Sequence, residues 1–234
     1  MTAAFVVIAT VASYALSLAI GLPFIVPILN TLASYPFMVT ALRRGRTREA
    51  VALMLVWALT MGACATLIAY TAPWRAGVLF LRGDAYRTEM FGWVMTGRGA
   101  ESTPSQFIPQ QIGHAALFTA LALASGGALA MPMGAVLMNY MGTYVGSLAA
   151  ASRHPAAAML LGWHPWAVIR VISFVGLGVV LSAPLLSRAF GFRTDWKIAR
   201  RIGFLAVCGL VLDVLMKTAL APAWQRLLVR IAGW

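Results

Sequence analysis

Charge is what this sequence has least of. Lys, Arg, Asp and Glu together make up 10% of its 234 residues, where about a quarter is usual for a soluble domain. Only six residues are acidic, so general acid–base chemistry has few side chains to draw on. No Ser/His/Asp set, paired catalytic carboxylates, phosphate loop or intramembrane HExxH motif is present. Cysteine is nearly absent. Cys64 and Cys208 both fall inside long apolar runs, which indicates neither a disulfide framework nor a thiolate metal site. No Lys or Arg precedes the first apolar run, MTAAFVVIATVASYALSLAIG, so that run reads as a retained span rather than a cleaved signal. The short alternating segments of a transmembrane barrel are missing too.

Apolar residues fill the space. They make up 61% of the chain, and the mean hydropathy is +0.84. Several apolar runs reach about 20 residues, the length that crosses a bilayer as helix. The expected fold is all-α: a polytopic membrane helix bundle of about six transmembrane helices plus interfacial amphipathic helices. The lipid bilayer is the first partner this implies. The net charge of +12 gathers in short loops, where it acts as positive-inside bias and attraction to anionic headgroups. A nucleic-acid partner is not expected.

Residues 3–42 carry no charge. As one straight helix they would measure about 60 Å, twice the hydrocarbon thickness, so the segment must break, and Pro23, Pro27 and Pro36 supply the places. The preferred reading is one span over 4–27 followed by a shorter apolar element at the interface; a tight hairpin of two spans is the alternative. Arg43, Arg44, Arg46 and Arg48 then form a cytoplasmic anchor. A second span covers 50–72. In the polar connection 75–106, Tyr86, Met90, Trp93 and Val94 share one side of a helix, as in a helix lying in the headgroup plane. Its tail, GRGAESTPSQ, reads as a flexible loop.

Spans three and four, 107–130 and 133–151, are separated by a turn at Met131-Pro132-Met133. The stretch from Gly113 to Leu186 is dense in Gly, Ala and Ser, which suits helices packed closely on other protein. In the fourth span Gly142 and Gly146 form a GxxxG, with Asn139 one turn earlier on the same face. Span five covers 165–186. Arg188, Arg193, Lys197, Arg200 and Arg201 follow, and span six, 202–221, ends at Pro222. Counting crossings from the first basic loop puts residues 188–201 on the same cytoplasmic side and the connections 73–106 and 152–164 outside. In the final stretch Trp224, Leu227, Leu228 and Ile231 face one way and Arg226 and Arg230 the other, as in an amphipathic helix on the membrane.

Charges inside spans are functional candidates, because each costs a few kcal/mol unless paired. Asp213 and Lys217 lie one turn apart and neutralise each other. Arg170 falls at a similar depth, so a cluster of Arg170, Asp213 and Lys217 is expected. It would act as a clamp between spans five and six, as an ion pathway, or as a partner contact. The Asp213-x-x-x-Lys217 pattern also resembles the retinal-bearing last helix of microbial rhodopsins, but that family's third-helix carboxylate motif is missing. His114, His154 and His164 all map to the outer side. With Met90 or Met95 they are weak ligand candidates for a metal or haem, and interfacial hydrogen bonding is the simpler role. Met131, Met133, Met138 and Met141 invite a copper reading, though Met is also an ordinary packing residue. No metal and no cofactor is expected.

From Val51 to Trp234 the chain resembles the stage II sporulation protein M family. The pattern is a span with an internal Met61-Gly62-Ala63, an external segment with Asp84, Tyr86 and Phe91-Gly92, and the Gly/Ala-rich pair ending NYMGTYVG. A span introduced by His164-Pro165 and closed by VGLGVV comes next, then a basic loop, a last span, a Pro and a short amphipathic tail. One departure is Lys217, where the family commonly has Glu. The resemblance divides the chain into an extra N-terminal segment, 1–48, and a family-like membrane domain, 49–234. It implies a non-enzymatic scaffold or anchor in the inner (cytoplasmic) membrane that positions other envelope or cell-wall-remodelling proteins. The Gly142/Gly146 face and the 75–106 segment would be its interaction surface. Two rivals remain: a permease-like subunit using the charge cluster, and a structural subunit of a larger cofactor-bearing complex.

Overall fold

In a computed structural model describing residues 1–234, the chain forms helices and no strands. Proline and glycine set most of the boundaries. α1 (Thr2–Ile20) stops where Gly21 turns left-handed (φ 73°), and Pro23 lies in the link that follows. α2 (Ile25–Leu32) and α3 (Tyr35–Arg43) carry Pro27 and Pro36 in their first turns, where a missing N–H costs nothing. The alternative reading of residues 3–42 is therefore the correct one. α2 and α3 together reach span length and turn back against α1.

α4 (Thr47–Thr71) leaves the basic loop, and α5 (Pro73–Leu79) starts on the proline that ends it. α6 is Gly83–Thr96 and α7 is Pro104–Ser125. Between them a short 3-10 turn occupies Ala100–Ser102. α8 (Ala130–Ala151), α9 (Pro155–Gly162), α10 (Pro165–Phe190) and α11 (Trp196–Ala232) complete the chain.

Six helical segments are long and apolar enough to cross a membrane: α1, α2 with α3, α4, α7, α10 and α11. The protein is thus a multi-pass helical bundle of the membrane class. α8, expected as span four, is not among the six, because Asn139, Tyr140, Thr143 and Tyr144 dilute its apolar character. It tolerates them by lying in the middle of the bundle. From Met138 to Ala149 every residue except Tyr140 is buried.

α4 and α8 run parallel at close range. A Cβ on Gly142 would sit 2.5 Å from the Ala65 Cβ, and one on Gly146 would meet the Thr66 carbonyl oxygen and lie 2.9 Å from the Tyr70 nitrogen. The GxxxG is thus a helix-packing device inside the protein. It is covered by α4 and does not serve as the partner surface expected of it. α10 and α11 run antiparallel, with Gly203 facing Val180, Gly209 facing Ser173 and Asp213 facing Arg170.

Residues 1–48 do not stand apart. Val6, Tyr14, Val26 and Met38 share one core with Ala50, Trp57 and Met61 of α4 and with Met131 and Met138 of α8. Tyr14 donates a hydrogen bond to Asn139 Oδ1, and Trp57 Nε1 donates to the Asn30 carbonyl at 2.9 Å.

Two sequence-derived boundaries move. The turn between α7 and α8 is made by Gly126 and Gly127 (φ 58° and 89°), because only glycine takes up that pair of left-handed positions at little cost. Pro132 then falls within the first turn of α8. Pro222, expected to end span six, lies inside α11, which continues for 37 residues, about 55 Å. Of the expected membrane face, Trp224, Leu228 and Ile231 pack on protein, and Leu227 alone stays exposed. Leu228 is buried, and Trp224 Nε1 donates to the Leu161 carbonyl of α9 at 2.9 Å.

The two basic clusters meet at one end of the bundle, as expected once α8, which traverses the bundle beside α4, is counted with α4, α7 and α10. The Arg43 guanidinium lies 5.1 Å from the centre of the Phe190 ring, and Arg48 and Arg201 line a common groove. At the other end α6 lies over α8 with Met90, Trp93 and Val94 buried and Tyr86 half-buried, so the apolar face expected to lie on headgroups packs on protein.

Candidate functional site

The intramembrane charges converge with two partners that the sequence pattern does not indicate, Gln111 and Glu101. Arg170 and Asp213 form a two-pronged ion pair, Nε to Oδ2 at 2.8 Å and Nη2 to Oδ1 at 3.0 Å. Gln111 of α7 also donates to Asp213 Oδ2. Both oxygens of the buried carboxylate are thereby used.

Lys217 does not pair with Asp213, contrary to expectation. Its Nζ lies 3.0 Å from Glu101 Oε1 and 4.4 Å from the centre of the Phe107 ring. The helical geometry explains the exchange. Residues 213 and 217 share a face of α11, but both point inward, and each finds a partner on a different neighbouring element. The clamp therefore ties α11 to α10, α7 and the 3-10 turn together.

Glu101 sits in the GRGAESTPSQ segment, which composition marks as flexible. It is held instead: Ser102 and Thr103 hydroxyls donate to the carbonyls of Gly97 and Gly99, and Glu101 is 8% exposed. Burial pushes its carboxyl up, but Lys217, His164 and Arg170 outweigh that and hold it below the usual carboxylate range. Its second oxygen, Oε2, is buried without a hydrogen-bond partner.

Beside this cluster lies a cavity of about 400 Å³, within the roughly 300–1,000 Å³ typical of small-molecule sites. One end is polar, with Arg82, Glu89, Glu101, Gln110, Arg170 and Lys217 in its wall. The other end is apolar, and six methionines line its length: Met38, Met54, Met61, Met131, Met138 and Met141. Methionine is flexible and polarisable, so such a wall adapts to varied apolar shapes. On α10 the lining runs from Ala167 to Ser182, roughly 22 Å of helix rise. Arg82, at the polar end, is the one non-glycine residue with positive φ (54°), a conformation that costs about 1–3 kcal/mol and clusters at functional sites.

The three histidines do not come together. His114 lines the cavity, and His154 is exposed before α9. His164 is buried, stacked on Trp166 (4.7 Å between centres), edge-on to Trp93 and 3.3 Å from the Tyr144 hydroxyl. Burial among these rings pushes its pKa down to about 4, so the ring is neutral at physiological pH. No three His, Cys, Asp or Glu side chains are placed to share a metal ion. Met90 is buried in the core that also holds Tyr144 and Leu148, Met95 is exposed, and Met133 packs on the small cluster of Phe118, Ala122 and Ala130. Met131, Met138 and Met141 are the members of the copper candidate set that reach the cavity.

The fold and site define a class: a polytopic membrane helix bundle enclosing a methionine-lined cavity with paired charges at one end. No family model, curated protein or solved structure matches the chain. The resemblance to the stage II sporulation protein M family thus rests on the residues quoted for it and nothing further.

Proposed function

We propose that this protein is a permease-like membrane component that takes a small amphiphile into its interior and moves it through the membrane without chemical change. The observation that carries this reading is the cavity, whose wall follows α10 for roughly 22 Å against a hydrocarbon thickness of about 30 Å. It joins a charged end to an apolar one. Paired charges at depth are expensive to keep and cluster along substrate paths. In this reading the basic loops 43–48 and 188–201 face the cytoplasm of an inner membrane, and the charged end of the cavity faces outward.

The scaffold reading rests on less. Of its two expected surfaces, Gly142 and Gly146 are occupied by α4, and the 75–106 segment turns Met90, Trp93 and Val94 inward where α6 packs on α8, which leaves exposed apolar faces such as Phe204, Val207, Val211 and Leu215 of α11. Lipid covers such a face as well as a partner protein does.

Gly134 supplies the test. It lines the cavity, and a Cβ built on it meets only Phe118, at 3.9 Å, so the first side-chain atom of Gly134→Leu is accommodated and the rest adds bulk at the cavity wall. Reconstituted protein is expected to speed transbilayer movement of a fluorescent single-chain phospholipid at least tenfold over protein-free vesicles. Gly134→Leu abolishes most of the gain while the protein keeps its melting temperature. Equal movement with and without protein would sink the reading.

A further inference from the structure

Resting on that reading, we infer that the amphiphile is single-chained and carries a zwitterionic head whose cationic part bears N–H donors, of the phosphoethanolamine kind. Charge is the first argument. The polar end assembles Arg82, Arg170 and Lys217 with Glu89 and Glu101, and Asp213 stands directly behind Arg170. Three cations face three carboxylates. A site for a net anion would hold surplus positive charge, and a site for a cation the reverse; this balance suits a head that is itself neutral overall.

The second argument is which hydrogen-bonding atoms remain free. Asp213 is fully used by Arg170 and Gln111. Glu101 spends Oε1 on Lys217 and keeps Oε2 buried with no donor. A buried acceptor left in this way costs about 1–3 kcal/mol, which a donor brought in by a ligand recovers. Arg170 spends Nε and Nη2 on Asp213; its Nη1 forms no internal hydrogen bond, and 28% of the side chain stays accessible. Glu101 and Arg170 both line the cavity, so one unpaired acceptor oxygen just beneath its wall and one free guanidinium edge match one ammonium and one phosphate oxygen.

The third argument is size. At about 400 Å³ the cavity lies in the lower part of the usual range, room for one flexible chain beside the methionines rather than two. The ammonium would donate to Glu101 Oε2, and the phosphate would accept from Arg170. Lys217 keeps its place on Oε1, and no bond is made or broken.

The experiment uses the full chain in mild detergent and four competitors of a fluorescent single-chain phospholipid. Three share one acyl chain and carry phosphoethanolamine, phosphocholine or phosphoglycerol heads; the fourth is glycerophosphoethanolamine without a chain. The phosphoethanolamine lipid is expected to compete at least tenfold better than the phosphocholine lipid, which has no N–H to offer. It should also compete at least tenfold better than the phosphoglycerol lipid, which has no cation. Glu101→Gln should bring the first two within threefold of each other, by weakening the phosphoethanolamine lipid more than the phosphocholine lipid. The head-group comparison on the unaltered protein stands even if the variant folds poorly.

Equal competition by all three heads overturns the inference and leaves the amphiphile cavity intact. So does equal competition by the chainless head, which would make the ligand a free zwitterion. If no single-chain lipid binds, and Gly134→Leu changes nothing, the permease reading falls with it.

Discussion

Replacing Arg170 with Met strands Asp213, which is 0% exposed, with a carboxylate and only Gln111 to serve it. Breaking a buried pair by removing one partner costs about 3–5 kcal/mol, and here two charge-assisted hydrogen bonds go together. Asp213→Leu costs less, because 28% of the Arg170 side chain is accessible and the freed guanidinium turns toward the cavity; about 2 kcal/mol is the expected loss. The double replacement removes both charges and fills the gap with apolar atoms, so it should lie within about 1 kcal/mol of the parent. The cycle therefore carries a coupling of roughly 4 kcal/mol or more. Cys64, half-buried in α4, reports unfolding through its reaction with a thiol-reactive dye, and exposed Cys208 is first changed to Ala. Losses that simply add across the two single variants would refute the pairing and the inward placement of both side chains.

The α4–α8 contact separates two effects of Gly→Ala. At Gly113 a Cβ meets nothing within 4 Å, so Ala should stabilise by about 0.5–1 kcal/mol through helix propensity. At Gly146 the same change forces α4 away and should destabilise by about 1–3 kcal/mol; thermal melts of the pair decide. His164 and Glu101 both make stability fall in acid. His164 is neutral in the folded protein with a pKa near 4 against an ordinary 6.5, so the unfolded state gains protons first as pH drops between those values, at up to about 3 kcal/mol. Glu101, whose folded pKa is lowered, contributes its stabilisation above the usual carboxylate range and loses it as pH falls through the folded value. Melting temperature should therefore decline from pH 7 to 4.5, and His164→Phe should flatten the upper part of that slope. Single cysteines placed in 43–48 and in 188–201 should label from the same side of sealed vesicles, and one in 97–103 from the other.

Membrane class, the loop-charge pairing of the two basic clusters, the packing glycines and three of the four clustered charges are all legible in the residues, because length, apolarity and charge inside a span carry direct energetic consequences. What escaped detection sat where local composition and tertiary context disagree. Glu101 lies among Gly, Ser, Thr and Pro, which mark a loop, and only Lys217 reaching it from a distant helix makes the loop rigid. A signal was present even so: Arg170, Asp213 and Lys217 sum to one surplus positive charge, and such a surplus calls for a fourth, acidic member. Pro222 misleads for the opposite reason. A proline ends an isolated helix, but Ala221 before it and Trp224 and Leu228 after it share one core with Ala158 of α9, which holds the helical path on both sides. The N-terminal prolines do mark the breaks, Pro23 in the link after α1 and Pro27 and Pro36 in the first turns of the helices that follow. Whether they separated one span or two depended on packing against α4 and α8, which no local pattern reports.

The clamp also orders events during synthesis. Arg170 leaves the ribosome well before Asp213 does, and Glu101 earlier still, so each is inserted with its counter-charge not yet made. Until α11 is threaded into place, a guanidinium and a carboxylate sit in a half-built bundle at a cost of a few kcal/mol apiece. Those charges stay without their partners until the latest helix closes the circuit.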